Sequence, residues 1–261
     1  MAIVHSPLAA PRLPLNYLKV IKQCVLRARP TQKGCRSGVD ARRAQSNKCY
    51  PRYALINAQS VLKKGGRVVD LTLQSNLEIM AVTETWLLTN EELLSICPDG
   101  FTAVHRPRGG PTKGGGIAHL YRDSIRLSQR QNTTFSSFEY MDVSFSVKST
   151  TIRQVIIYRP PKESKAVFFE QFSDLLEMII VSEEKLLITG DFNINMLRGE
   201  SDVYSRGLSD LFESFGLVQH VSQVTHIRGN CHLFSSLLNH AMYWCGSTTP
   251  VSFPAWINIS H

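Results

Sequence analysis

Leu186-Leu187-Ile188-Thr189-Gly190-Asp191-Phe192-Asn193 is the stretch on which the reading of this chain turns. Its first four residues form a short, continuous apolar run of the kind expected of a strand covered on both faces. The run ends on Gly190-Asp191, which sets a carboxylate at a strand mouth. Desolvation opposes a carboxylate there unless a metal or another partner compensates. Asp191 and Asn193 are two residues apart, so on an extended segment both side chains fall on one face and can converge on one phosphate.

Outward from this stretch the pattern repeats. Phe168, Phe169, Phe172, Leu175, Leu176 and Ile179 recur at helical spacing and predict an amphipathic helix over 165–182. Before it, 138–147 and 151–158 read as two adjacent strands forming a hairpin, the second dense in β-branched residues. Tyr53 to Ala58 reads as a first strand, followed by a helical segment with Val61, Val68, Val69, Leu71 and Leu73 on its apolar face. Leu77 to Val82 is another short apolar run, and 101–106 and 116–121 are further strands. Downstream, Tyr204, Leu208, Leu211, Phe212 and Phe215 share a face of a helix over 203–215. Strands and helices alternate unevenly, which predicts an α/β fold of mixed sheets with helices outside rather than a plain doubly wound sheet.

A second acid, Glu84, follows the Leu77–Val82 run just as Asp191 follows its own. Two strand-mouth carboxylates point to a hard-cation site, and Mg2+ needs only one or two protein carboxylates together with water and a substrate phosphate. On this reading Glu84 is the ligand and Asp191 a base or water-orienting group, while Asn57, at the end of the first strand, adds an amide oxygen or holds a water. Tyr158 closes the 151–158 strand, and Pro160 and Pro161 turn the chain away behind it. Lys113-Gly114-Gly115-Gly116 is not a phosphate loop, because a Walker loop needs Gly-Lys-Ser/Thr opening a helix, whereas Ile117 to Tyr121 reads as a strand. The triplet is a tight turn.

The 261 residues, 43% of them hydrophobic, are enough for one large α/β domain. The formal charge of +8 is concentrated: residues 1–50 carry ten Lys/Arg and a single acid, Asp40. That basic leader can neutralise phosphates without reading sequence, or it can be a disordered segment with no partner. Pro7, Pro11 and Pro14 interrupt any secretory apolar core, and the lack of acids before Asp40 suits a transit peptide although serine is sparse. No stretch is apolar enough for a membrane span. The six cysteines form no CxxC pair, so reduced thiols are expected, and the grouping His226, Cys231, His232, His240, Cys245 lacks a standard zinc spacing.

Taken in order, Asn57-Ala58-Gln59-Ser60, Thr83-Glu84-Thr85-Trp86-Leu87, His105-Arg106-Pro107-Arg108, Tyr158-Arg159-Pro160-Pro161, Gly190-Asp191-Phe192-Asn193 and Thr225-His226 with Gly229-Asn230 form a set. The set resembles the endonuclease/exonuclease/phosphatase superfamily and, within it, the endonucleases of LINE-type non-LTR retrotransposons. The resemblance implies a four-layer sandwich of two mixed sheets and a Mg2+-dependent phosphodiesterase (Mn2+ as substitute) that nicks DNA in the nucleus, needing no small-molecule cofactor. It further implies that Asn57 and Glu84 bind the metal, that Tyr158 touches phosphate, that Asp191 and Asn193 position the attacking water, and that Arg106, Arg108, Thr225 and His226 meet DNA. The Thr-Glu-Thr-Trp and glycine-triplet landmarks disfavour the superfamily's inositol-phosphate phosphatases and sphingomyelinases.

The resemblance breaks at the end. The family closes with a Leu-Asp strand and an Asp-His pair, but here Gly229-Asn230 runs into Cys231-His232, and no acid follows Glu213. The expected organisation is therefore a leader over 1–50, the domain over 51–230 and a divergent tail over 231–261, an incomplete copy with its last strands missing and its activity impaired. The alternative is a catalytically inactive remnant that binds nucleic acid.

Overall fold

The computed structural model describes residues 51–109, 114–130, 133–147, 150–182, 184–196, 202–219, 240–245 and 256–258. In chain order the elements are β1 (Tyr53–Asn57), α1 (Gly65–Gln74), β2 (Ile79–Thr83), α2 (Asn90–Leu94), β3 (Phe101–Arg106), β4 (Ile117–Arg122), β5 (Leu127–Gln129), β6 (Glu139–Val147), β7 (Thr150–Tyr158), α3 (Lys165–Ile180), β8 (Lys185–Asp191), α4 (Val203–Ser214), β9 (Val218–Gln219), β10 (His240–Cys245) and β11 (Trp256–Asn258).

These strands form two mixed sheets, ordered β11-β1-β2-β4-β3 and β5-β6-β7-β8-β10-β9. β1 and β2 run parallel, as do β7 and β8, and β6 and β7 form the expected antiparallel hairpin. Period-two alternation then sorts each strand into two faces. Tyr53 and Leu55 of β1, Ile79 and Ala81 of β2, Ile152 and Ile156 of β7 and Leu187 of β8 fill the space between the sheets. Ala54 and Ile56 face the opposite way, into a layer with Val68 and Leu71 of α1 and Leu93 of α2. On the far side Val155, Ile157, Leu186 and Ile188 meet Phe168, Phe172, Leu175 and Leu176 of α3 and Leu208 and Phe212 of α4. Helices, sheet, sheet, helices make the four layers.

Each fully buried Leu, Ile or Phe contributes roughly 1.5–3 kcal/mol, so this central stack dominates the stability. One polar thread runs through it. The Tyr53 hydroxyl donates to Thr189 Oγ1 at 2.9 Å, Gln154 Nε2 donates to the Tyr53 hydroxyl at 2.8 Å, and His119 Nε2 lies 3.0 Å from Gln154 Oε1. All four residues are fully or almost fully buried, and His119 Nδ1 has no partner among the described residues. The thread ties β1 and β4 to β7 and β8, two residues below the end of β8.

The sequence reading needs three corrections here. Leu73 is 48% exposed, because the buried face of α1 is Val68, Leu71 and Thr72, and Leu73 lies about 140° around the helix from Val68. The short α2 went unforeseen although Thr89 and Glu92 form a complete capping box. The last strands are not missing: β10 pairs antiparallel with β8, setting His240 opposite Asp191, and β11 pairs parallel with β1. Sheet pairing is made by backbone groups, so Ala241-Met242-Tyr243-Trp244-Cys245 can extend a sheet without the carboxylates that the chemistry asks for.

Candidate active site

Because β1, β2, β7 and β8 end on the same side, alternation delivers Asn57 and Tyr158 and Asp191 to one place, each two residues beyond an inward-facing core residue. Glu84 follows β2 directly. Asn57 is the hub: its Nδ2 donates to Glu84 Oε1 at 2.8 Å and to Asp191 Oδ2 at 2.6 Å. Two carboxylates from different sheets thus reach one nitrogen. The Asn57 amide oxygen, the atom a metal would need, accepts instead from the Gln59 N–H at 3.1 Å.

Burial raises Asp191 to about 7, an effect to which the Glu84 charge adds, while the hydrogen bonds from Asn57 and Asn193 pull the other way. Tyr158 is 3% exposed and its hydroxyl bonds to Glu84; burial and then the Glu84 charge push its pKa up. Above the ring, at 5.7 Å, sits the Arg108 guanidinium, which pairs with Glu139. Glu139 in turn accepts from the Gly116 N–H at 2.6 Å, tying the glycine turn to the site.

Asn193 reaches the site by a route different from the one its spacing implied. Its φ is +50°, so the segment is not extended beyond Asp191, and its N–H instead donates to Asp191 Oδ1 at 3.1 Å in an Asx turn. Its side chain donates to the Arg159 carbonyl at 2.7 Å. Arg159, 1% exposed, holds this turn from below, donating to the carbonyls of Phe192 at 2.6 Å, Asn193 at 3.0 Å and Glu163 at 2.8 Å. Sequence reasoning assigned Arg159 no role. The available signal was a lone cation beside a proline pair at a strand mouth, where five donors need acceptors.

Positive φ in non-glycine residues also clusters here. Of the six described, Gln59, Ser60, Glu84, Trp86 and Asn193 flank the site and only Asn76 lies elsewhere. Such positions cost of order 1–3 kcal/mol each, persist only where the surrounding structure holds them, and tend to cluster at functional sites. Gly190 serves closeness instead: a Cβ there would run into the Ile157 carbonyl, so glycine lets β7 and β8 meet just below Tyr158 and Asp191.

The endonuclease/exonuclease/phosphatase family model matches residues 54–259. The chain belongs to this family. No curated protein sequence gives a significant match. Among solved structures, the chain is similar to the endonuclease domain of TRAS1, a telomere-specific non-LTR retrotransposon, at 15% identity over 74% of this chain and 84% of that one, with a TM-score of 0.55. It is also similar to an AP endonuclease from Archaeoglobus fulgidus (12% identity, 75% and 86% covered, TM-score 0.53). The AP endonuclease LMAP from Leishmania major is comparable, at 11% identity, 74% and 77% covered and a TM-score of 0.53. At these identities the likeness is one of fold.

For a member of the endonuclease/exonuclease/phosphatase family, the structure brings Asn57, Glu84, Tyr158, Asp191 and Asn193 together as the sequence implied. Arg106 and Arg108 stand beside them, but both guanidiniums are engaged: Arg106 donates to the Tyr140 carbonyl at 2.8 Å, and Arg108 is held by Glu139. Thr225 and His226, the leader over 1–50 and most of the 231–261 tail lie outside the described residues. Among the described residues no group of three or more His, Cys, Asp or Glu gathers as a metal cage, and no helix is long and apolar enough to cross a membrane.

Proposed function

We propose that this chain is a divalent-cation-dependent phosphodiesterase that nicks DNA in the nucleus, as the endonuclease of a LINE-type retrotransposon does. One observation carries the reading: Glu84 and Asp191, delivered by different sheets, share the Asn57 amino group beside the Tyr158 hydroxyl. Structural stability does not call for two carboxylates, Asp191 fully buried and Glu84 partly so, on one donor. The donor set fits Mg2+, or Mn2+ in its place, which favours a few oxygen ligands and fills the remainder with water and phosphate, so a cage of three or more protein acids is not required.

When bound, the cation supplies Lewis acidity and lowers the pKa of water. Glu84 would hold it, and Asn57 would join through its amide oxygen, which now accepts from the Gln59 N–H, once that amide turns. Asp191, raised to about 7, is suited to take a proton from the attacking water near neutral pH. Asn193 and Arg159 keep the carboxylate oriented, and the Tyr158 phenol, whose proton now goes to Glu84, would turn to donate to a phosphate oxygen. In-line attack would form the water oxygen–phosphorus bond and break P–O3′, leaving a 3′-oxygen, which takes up a proton to become the hydroxyl, and a 5′-phosphate. Thr225 and His226 would contact DNA, as would Arg106 and Arg108 through the donors not spent on the Tyr140 carbonyl and Glu139, and the basic leader would add contacts that do not read sequence.

A second reading has its own support. No acid follows Glu213, so the carboxylates that close the family's pattern have no counterpart here, and losing one positioned acid or base typically lowers rate by about 10² to 10⁴. The chain would then be an inactive nucleic-acid-binding remnant. Nicking of supercoiled plasmid with and without Mg2+, with Glu84→Ala as control, separates the two. Metal-dependent nicking lost in the variant supports the enzyme, and DNA binding with no nicking by folded protein supports the remnant.

A further inference from the structure

We propose that Trp86 is a stacking platform for the nucleobase that adjoins the scissile phosphate, which makes the substrate a strand with an unpaired or displaced base at that position. This rests on the DNA reading above and goes beyond it by naming the form of DNA that the site accepts.

Trp86 is 39% exposed, although it is the most costly side chain in its loop to leave in water. Its two neighbours are not exposed: Thr85 and Leu87 are buried and pin the loop from both sides. Its backbone has φ +59°, a strained setting for a bulky aromatic, held by hydrogen bonds from the Thr85 and Trp86 N–H groups to the carbonyls of Gly116 at 3.2 Å and Gly115 at 2.9 Å. A loop selected for stability would turn the indole inward and relieve the backbone. This one accepts strain in order to present it.

What the indole meets follows from its surroundings. Trp86 is two residues from Glu84, no more than about 7 Å along the chain, which is within one nucleotide of a phosphate held there. A Cβ on Gly114 would lie 3.6 Å from Trp86 Nε1 and 3.7 Å from Arg108 Nη1, so the ring and the guanidinium flank one glycine that adds no side chain between them. Arg108 is already paired with Glu139, so the exposed indole is the group left open at this rim, and an aromatic face there matches a base. Leu88, 72% exposed, extends the apolar rim. Bases inside an intact duplex present only their edges, so stacking needs a base that has left the stack.

The test uses the full chain, EDTA to prevent cleavage, and a fluorescein-labelled oligothymidylate against the same length of fully paired duplex. Raised salt weakens the phosphate contacts of the basic leader while leaving stacking. The expected result is preference for the single strand, quenching of tryptophan emission on binding, and a loss of affinity of about 5- to 150-fold in Trp86→Leu, the range one base–aromatic stack supplies. The slope of affinity against salt should stay as in wild type. Wild-type affinity and quenching in Trp86→Leu would overturn the inference alone, whereas failure of wild-type protein to bind either DNA would overturn the DNA reading with it. Should Trp86→Leu melt early, Trp86→Phe decides. Affinity within a few-fold of wild type supports the stack, and a loss as large as that of the leucine variant refutes it.

Discussion

His119 makes the protein acid-sensitive in a way that can be isolated. Burial lowers its pKa from 6.5 to about 4, because the charged ring would sit between two sheets, and the hydrogen bond with Gln154 only partly offsets this. The fold therefore favours the neutral ring, and the unfolded chain binds the proton more readily. Stability is complete above pH 6.5 and is lost as pH falls toward 4. At 1.36 kcal/mol per unit the full loss is about 3 kcal/mol, with about 2 kcal/mol of it gone by pH 5. Urea unfolding at pH 7.5, 6, 5 and 4.5 is the assay, with His119→Gln as comparison, since an amide keeps a donor toward Gln154 but does not titrate. Other groups, including Asp191, titrate in both proteins and cancel in the difference. Wild type should lose about 2 kcal/mol relative to the variant between pH 7.5 and 5. A difference independent of pH would refute the premise that the thread between the sheets is closed to water and protons.

Two further outcomes follow from the geometry of the site. Gly190→Ala drives a Cβ into the Ile157 carbonyl, and backbone cannot step aside cheaply; unfolding free energy should fall by about 1–3 kcal/mol, and the β7–β8 separation that places Tyr158 opposite Asp191 should widen, so activity falls further than stability. Arg159→Lys keeps the charge but loses the fork that bonds three carbonyls; the expectation is a drop in nicking rate of tenfold or more with little change in DNA affinity, read from single-turnover kinetics beside anisotropy, and equal losses in both would argue against a positioning role.

Much of the architecture was legible because it rests on local periodicity. The run of phenylalanines and leucines at helical spacing became α3 with Phe168, Phe172, Leu175, Leu176 and Ile179 buried, and the dense β-branched stretch became β7. The strand-mouth reading of Glu84 and Asp191 held for the same reason, since apolar runs ending on an acid mark where a strand leaves the core. The glycine triplet does not open a helix: all three residues have positive φ and lead into β4. What stayed hidden was non-local. Nothing near Arg159 in the chain says that the carbonyls of Phe192 and Asn193 will come to it, and nothing near Glu139 points to Gly116 and Arg108.

By itself the sequence determined most of the central strands and the two long outer helices, and the identity of the groups capable of metal-assisted phosphodiester chemistry, because side-chain period and strand ends are properties of neighbouring residues. Only the tertiary structure decided that Asn57 joins the two carboxylates through its amino group, that Asn193 enters by a left-handed turn, and that β10 and β11 pair with β8 and β1. These depend on which strands lie side by side and on how hydrogen-bond donors are shared across gaps of 27 to 134 residues, a competition settled when the chain is compact.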